Sequence, residues 1–312
     1  MSKPKPTLVV LAAGASSRMK KSLDAIHLSQ SQKQYSEQTH AQELPASNTH
    51  KGLIPLDQNG KTSIDLLIDQ ATEAGIERVI MIIQPPGNAF KEHFASKDRD
   101  RVNDGVFPQA AKQNISVDFA YQNIPPGRVK PMGTADAIQQ CMLQFPELHQ
   151  QEFLVCNADN LYSSQAFRAL INIESQNALI GYDRDFLDFP LDKIRSFALL
   201  VSNQNQCMTE LIEKPDQETT QRLIAQGQQL NVSMNLWKFY GAALWAALED
   251  CPIHPERQEK ELPTAVRLMI DQHKANIKVV QRKEHVPDLT QASDIEAVRH
   301  FLQRQASNSS QD

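Results

Sequence analysis

A loop of small residues follows the first apolar run of the chain. Its first four residues are Leu11, Ala12, Ala13 and Gly14, and Arg18 comes four residues later. At the carboxyl end of a strand, the backbone N–H groups of such a loop can surround phosphate oxygens, and Gly14 lets the chain come close. The guanidinium of Arg18 adds a fork of donors that suits phosphates. The pattern indicates a phosphate-binding loop, with an ordinary turn and a surface arginine as the alternative.

A carboxylate occupies a comparable position later in the chain. Asp159 comes shortly after the apolar run Phe153–Cys156. Ligand sites of α/β sheets form at the carboxyl ends of strands. Because Mg²⁺ favours one or two carboxylates together with phosphate oxygens, Asp159 is a candidate Mg²⁺ ligand. A turn formed by Asp159 and Asn160 is the alternative.

Two other nucleotide-binding patterns are excluded. The first loop lacks the glycines of the dinucleotide fingerprint GxGxxG. Gly60, Lys61 and Thr62 look like the end of a P-loop, but Pro55 stands where its first glycine would be. The sequence therefore does not predict a P-loop kinase or ATPase.

The elements that must position these residues alternate at short spacing. Apolar runs predict strands over 7–12, 79–83, 115–121 and 153–156, and helices are predicted over 64–74, capped by Ser63, and from Thr134. This alternation predicts an α/β fold with a Rossmann-like mixed, mostly parallel sheet and helices on both faces. After residue 190, an antiparallel hairpin and further helices are predicted.

We expect a single domain over residues 1–304. Residues 22–50 are polar, rich in Gln, Ser and His, and lack a period, so they are predicted to be a flexible insertion. Residues 305–312 are predicted to be a disordered tail.

Charge and composition limit the partners. The chain of 312 residues has a formal net charge of −5 and no dense Lys/Arg block, so no nucleic-acid partner is expected. No apolar segment resembles a signal peptide or a membrane span. The four cysteines are scattered, which favours a cytoplasmic protein. Whether the chain forms a homo-oligomer is left open.

Five segments resemble, in the same order, the motifs of the sugar-phosphate nucleotidyltransferases. They are Leu11–Met19, Gly133–Ile138, Asn157–Tyr162, Ile212–Pro215 and Asn231–Trp237. The resemblance implies Mg²⁺-dependent transfer of a nucleoside monophosphate from a nucleoside triphosphate to a phosphorylated small molecule, a sugar 1-phosphate or a similar metabolite, with release of pyrophosphate. The catalytic residues would be Arg18, Lys51 and Asp159.

The resemblance also assigns the nucleotide site. The first loop and Arg18 would hold the phosphates together with Lys51, although Gly52 replaces a usual proline and Lys20 or Lys21 could serve instead.

The base would lie beside Gly133 and Thr134, and Gln122 would contact its edge. The Gln122 amide can both donate and accept a hydrogen bond, as a base edge requires.

The acceptor and metal sites follow in the same way. Glu213 would bind sugar hydroxyls, Lys214 the sugar phosphate, and Asn231 the sugar. On a strand, adjacent residues such as Glu213 and Lys214 point to opposite faces. The segment from Val286 to Asp294 is similar to the family turn that supplies a second carboxylate, which makes Asp288 the other metal ligand beside Asp159.

Two alternatives remain open at the level of the sequence. The sequence of the first loop also resembles the corresponding loop of cytidylyltransferases that act on alcohol phosphates and of enzymes that act on pterin cofactors. A catalytically inactive nucleotide-sensing protein of the same fold is the other alternative, because Gly52, Ala198 and Thr290 depart from the family pattern.

Overall fold

The computed structural model describes residues 5–14, 16–33, 46, 49–57, 59–103 and 115–309. Its strands form one nine-stranded sheet. The strands are β1 (Thr7–Leu11), β2 (Arg78–Ile83), β3 (Ser116–Tyr121), β4 (Glu152–Asn157), β5 (Ala178–Asp183), β6 (Leu199–Ser202), β7 (Met208–Ile212), β8 (Asn231–Tyr240) and β9 (Lys278–Arg282). The main path runs β3-β2-β1-β4-β8-β5-β9, and the hairpin β6–β7 joins it through β8.

Strand directions match the predicted fold class. Along the described path, β8 is antiparallel to its neighbours β4 and β5. The pairs β1–β2, β1–β4, β2–β3 and β5–β9 are parallel. Strands β1 and β4 lie inside the sheet and are buried over most of their length, which explains their continuous apolar runs. The mixed, mostly parallel α/β sheet is confirmed.

Helices cover both faces of this sheet. They are α1 (Ser17–Lys33), α2 (Ser63–Glu73), α3 (Asn88–Asn103), α4 (Thr134–Gln144), α5 (Ser164–Asn172), α6 (Leu191–Arg195), α7 (Gln217–Ala225), α8 (Gly241–Asp250), α9 (Leu262–Asp271) and α10 (Ser293–Ser309). One core lies between the sheet and α2 and α5, and a second between the sheet and α4, α8 and α9. Within the described ranges, no helix combines the length and apolarity needed to cross a bilayer.

The start of α2 corrects a predicted cap. Thr62, not Ser63, caps the helix, and the side chains of Thr62 and Asp65 each accept a hydrogen bond from the other residue's backbone N–H. The Ser63 hydroxyl instead donates to the carbonyl oxygen of Ala158 at 2.9 Å. This bond ties α2 to the loop that follows β4.

The structure differs from the predicted insertion over 22–50. Residues 22–33 belong to α1, while residues 34–45 and 47–48 lie outside the described part. Met19 and Leu23 are buried, and Ile26 packs beside them against residues near Leu56 and Ile295. Their spacing of four and three residues places them on one helix face. Burial of this face stabilises a helix whose remaining sequence is polar.

The predicted tail also differs. Helix α10 continues to Ser309, so residues 305–309 are helical, and residues 310–312 lie outside the described part. Leu302 packs against the apolar cluster of α1, and the good helix formers after it continue the same helix.

Candidate active site

The first loop lies where β1 ends, at the same sheet edge as the ends of β3 and β4. Leu11, Ala12, Ala13 and Gly14 line a cavity of about 410 Å³, here called the loop cavity. The N–H of Ala12 donates to Ile82 at 2.9 Å. The Gln84 amide donates to the carbonyl oxygen of Ala13 at 2.6 Å. The loop is therefore held from the neighbouring strand β2.

Gln122 forms the opposite wall of the loop cavity, and its amide orientation is fixed. Its Nε2 donates to the carbonyl oxygen of Gly133 at 2.9 Å and to Oδ2 of Asp136 at 2.8 Å. Because both partners only accept hydrogen bonds, the nitrogen must face them. The Gln122 amide therefore offers a ligand its oxygen, an acceptor. This narrows the sequence expectation that it would both donate and accept.

Gly133 and Thr134 join this wall to a distant loop. The N–H of Lys260 donates to Met132 at 2.6 Å, and the N–H of Ala135 donates to Lys260 at 3.0 Å. The Thr134 hydroxyl accepts from the N–H of Leu262 at 2.9 Å. Gly133, with φ +98°, precedes α4, so the N-terminus of this helix opens at the cavity.

Asp159 and Asp288 come together because their loops pair. The N–H of Leu289 donates to the carbonyl oxygen of Asp159 at 2.9 Å, and the N–H of Leu161 donates to Pro287 at 3.0 Å. Asn160 and Asp288 form an antiparallel bridge between the same loops. Both carboxylates line a second cavity, here called the carboxylate cavity.

The pKa of Asp159 reflects the burial of its carboxyl group and the charges around it. Burial raises the pKa of its carboxyl, the Lys51 ammonium opposes that rise, and the Asp288 carboxylate adds to it. Two acidic groups held this close disfavour each other's charge. A cation placed with them would relieve that repulsion.

Each carboxylate contacts a lysine. Lys51 forms a salt bridge with Asp159. Nζ of Lys193 lies 3.0 Å from Oδ2 of Asp288 and 3.5 Å from Oδ1 of Asp294. In the part of the chain that the structure describes, no group of three or more His, Cys, Asp or Glu side chains is arranged to hold a metal ion.

His50 holds the turn that carries Lys51. Its Nδ1 accepts from the N–H of Gly52 at 3.1 Å, and its ring stands edge-on to Phe90. Burial is the main cause that lowers the pKa of His50 to about 4, so the ring is neutral at pH 7 and carries its proton on Nε2.

The structure distinguishes Lys51 from Lys20 and Lys21, the other candidates for the lysine that contacts the phosphates. Lys51 lines the loop cavity, whereas Lys20 and Lys21 are exposed on α1 and do not line it.

Glu213 and Lys214 line a further cavity of about 320 Å³, here called the hairpin cavity. Strand β7 ends at Ile212, and Lys214 has a left-handed backbone with φ +46°. The two side chains therefore share one cavity, in contrast with the opposite faces expected on a strand. Arg257 lies beside them, with Nη1 3.7 Å from Oε2 of Glu213.

Asn231 is not brought to the cleft. It lies on β8 between its pairing partners Leu200 of β6 and Asp183 of β5, is only 2% exposed, and lines none of the three cavities. Ser233 and Asn235, further along the same strand, line the hairpin and carboxylate cavities. Asn235 has a left-handed backbone with φ +58°, a conformation that Asn tolerates better than most residues.

Lys193, Asn235 and Arg257 are cleft residues to which the sequence analysis had assigned no role. Asn235 had a signal, because it lies within the segment Asn231–Trp237 that resembles a family motif. Lys193 and Arg257 lie outside the motifs, and their nearness to Asp288 and Glu213 depends on the tertiary structure.

The three cavities adjoin. Asn157 lines all of them, Leu11 and Thr134 line both the loop and hairpin cavities, and Arg18 and Asp159 line both the loop and carboxylate cavities. Two ligands bound in the loop and hairpin cavities would meet beside the paired carboxylates.

The sheet and this cleft define an α/β enzyme with two adjoining ligand cavities at the carboxyl ends of parallel strands. The fold is similar to that of a solved UDP-glucose pyrophosphorylase complexed with UDP-glucose, with a TM-score of 0.66 and 14% sequence identity over 97% of this chain and 100% of the other. No curated protein sequence matches the chain.

The family model described as nucleotidyl transferase matches residues 46–305. The chain belongs to this nucleotidyl transferase family, which confirms the interpretation of the sequence as a nucleotidyltransferase.

Replacing Gly133 tests the close approach between its turn and the loop at Lys260. A Cβ at Gly133 would lie 2.5 Å from the carbonyl oxygen of Lys260, and φ is +98°. Gly127 is the matched control, with φ +81° and no neighbour within 4 Å of a Cβ. We expect Gly127→Ala to lower the free energy of unfolding by about 1–2 kcal/mol, the cost of a left-handed residue.

Gly133→Ala should cost about 1–3 kcal/mol more than the control, because overpacking is added to the strain of a backbone with φ +98° and ψ −176°, a combination essentially restricted to glycine. Denaturant unfolding measures both variants. Equal losses would show that the two loops do not approach as described.

Proposed function

We propose that the protein transfers a nucleoside monophosphate from a nucleoside triphosphate to a sugar 1-phosphate, with release of pyrophosphate. The observation that carries the proposal is the wall shared by the loop and hairpin cavities, formed by Leu11, Thr134 and Asn157. A donor and an acceptor bound on either side of this wall would be in contact. Cavities of a few hundred Å³ suit small metabolites.

The loop cavity would bind the triphosphate. At one end, backbone N–H groups near Gly14, the guanidinium of Arg18 and the ammonium of Lys51 would supply the donors that phosphates require. The base would lie at the other end, where Gln122 offers its fixed amide oxygen to an N–H of the base edge.

The hairpin cavity would bind the acceptor. Lys214 would contact the sugar phosphate and Glu213 the sugar hydroxyls, and we add Asn235 and Arg257 as further contacts, since both line this cavity. Lys214 and Asn235 also line the carboxylate cavity, so a phosphate held by Lys214 would lie toward Asp159.

A Mg²⁺ ion fits the carboxylate pair. Asp159 and Asp288 are held together by backbone hydrogen bonds, and two carboxylates completed by phosphate oxygens and water match the preferences of this ion. When bound, Mg²⁺ would neutralise negative charge on the reacting phosphates.

The chain's own residues would position the reaction. An oxygen of the acceptor phosphate attacks the α-phosphorus of the triphosphate in line, the bond from that phosphorus to the bridging oxygen breaks, and pyrophosphate leaves with its electron pair. The acceptor phosphate is already anionic at neutral pH, so no protein nucleophile is required. Arg18 and Lys51 would stabilise the charge on the departing pyrophosphate, and Lys214 would hold the attacking group.

Asp159→Asn should reduce turnover by at least about 100-fold, because a neutral amide replaces a charged metal ligand of the same shape. Pyrophosphate release would be followed against Mg²⁺ concentration, with circular dichroism and melting as the check on folding. A folded variant with the kcat and Mg²⁺ dependence of the wild type would remove Asp159 from the metal site.

Lys214→Ala should reduce kcat/KM for the sugar 1-phosphate ~10- to 100-fold, since a hydrogen bond to a charged group contributes about 1.5–3 kcal/mol. Triphosphate binding, measured by calorimetry without acceptor, should stay close to that of the wild type. Lys214→Arg should restore part of the loss, because a planar fork replaces a point charge.

Lys274→Ala is the matched control for Lys214→Ala. Lys274 also has a left-handed backbone, with φ +52°, and it lines none of the three cavities. Its replacement should leave acceptor kinetics unchanged. If Lys214→Ala behaved like this control, the acceptor phosphate would not be held at the hairpin, and the sugar-phosphate proposal would fail.

A further inference from the structure

Lys193 lines the carboxylate cavity, but the proposed reaction gives this lysine no role. It lies on the short helix α6, whose Ile194 is buried. Nζ of Lys193 lies 4.4 Å from the ring centroid of Phe189 and 3.0 Å from Oδ2 of Asp288. The ring and the carboxylate hold the ammonium in place, and the Lys193 side chain is 22% exposed.

The oxygen that Lys193 contacts has a second donor. The Thr290 hydroxyl donates to the same Oδ2 of Asp288 at 2.6 Å. Asp294 shares the Lys193 ammonium at 3.5 Å. A divalent cation that approached Asp288 would therefore meet a positive charge already bound to this carboxylate.

Positive charges also lie beside Asp159, the other carboxylate of the pair. Lys51 neutralises Asp159 through their salt bridge, and Arg18 and Lys214 line the carboxylate cavity as well. A bare divalent cation is repelled by these charges, whereas a cation complexed with a triphosphate is net anionic and is attracted by them.

We propose that Lys193 is a positioning residue for Asp288 that makes cation binding depend on the triphosphate. The ammonium of Lys193 holds the Asp288 carboxylate in the cleft and weakens its affinity for a bare cation. It does not oppose a cation that brings its own phosphate ligands. This inference rests on the carboxylate pair of the proposed function.

The test compares Lys193→Met with the wild type by titration with Mn²⁺. Binding is followed by calorimetry and by the electron paramagnetic resonance signal of free Mn²⁺. With Mn²⁺ alone, the variant should bind about tenfold more tightly, because one positive charge a few ångströms from a divalent cation has been removed. With Mn²⁺ and inorganic tripolyphosphate, binding to the variant should be no tighter than to the wild type. Lys193→Gln serves if the methionine variant does not fold.

Two controls isolate the charge and its place. Lys193→Arg keeps the charge and should bind Mn²⁺ as the wild type does. Lys283→Met removes another ammonium that stands over a phenylalanine ring, 5.5 Å from the Phe186 centroid, and should also leave Mn²⁺ affinity unchanged.

The double variant Lys193→Met with Asp288→Asn should lose the gain in Mn²⁺ affinity. A gain that persists would show that Lys193 does not act through Asp288, and unchanged or weaker Mn²⁺ binding in Lys193→Met alone would also overturn the proposal. Equal tightening with and without tripolyphosphate would remove the dependence on the triphosphate. Pyrophosphate release by the wild type, assayed separately, shows whether the proposed function stands apart from this inference.

Discussion

The loop after β4 and the loop before α10 are joined by backbone hydrogen bonds, although Asn160 and Asp288 are 128 residues apart in sequence. Leu289 donates to Asp159 and Leu161 donates to Pro287. These bonds place two carboxylates in one cleft, where like charges disfavour each other. The lysines beside them offset that cost, and the two ligand cavities meet at the same point. The geometry of the cleft therefore depends on this pairing of loops.

Apolar packing beneath the cleft holds the paired loops in place. Leu289 and Ile295 come from the second loop and α10, Met19 and Leu23 from α1, and Ile54 from the turn after Lys51, and all are buried in one cluster. One small apolar core thus supports the three segments that carry Arg18, Lys51 and Asp288. Charged groups that must stay close without a hydrophobic support would separate into water, because surface ion pairs contribute little.

The parallel strands and the first loop could be predicted from the sequence because they depend on local patterns of residues. The apolar run before Gly14 predicted β1, and its position at a strand end indicated the phosphate loop. The insertion was predicted wrongly over 22–33, although Met19, Leu23 and Ile26 already stood at helical spacing. The polar residues around them outweighed that pattern, and tertiary burial decided the outcome.

The parts that could not be predicted depend on backbone turns and on distant contacts. Lys214 and Glu213 line one cavity just past the end of β7, where the backbone of Lys214 is left-handed, and a strand pattern does not reveal that turn. Asn231 was chosen by motif position, yet it is buried between β5 and β6, and Asn235 of the same strand lines the cleft. Lys193 reaches Asp288 from a separate helix. Such contacts follow from how elements pack, which the residues of one segment do not specify.

The proposed transfer of a nucleoside monophosphate is tested most directly by following the phosphorus atoms of the triphosphate. Nucleoside triphosphates labelled at the α-phosphorus, and in parallel at the γ-phosphorus, would be incubated with Mg²⁺, the protein and sugar 1-phosphates. We expect the α label to appear in a nucleoside diphosphate sugar and the γ label in pyrophosphate. Transfer of the γ label to the sugar phosphate, or its release as orthophosphate without an acceptor product, would contradict it.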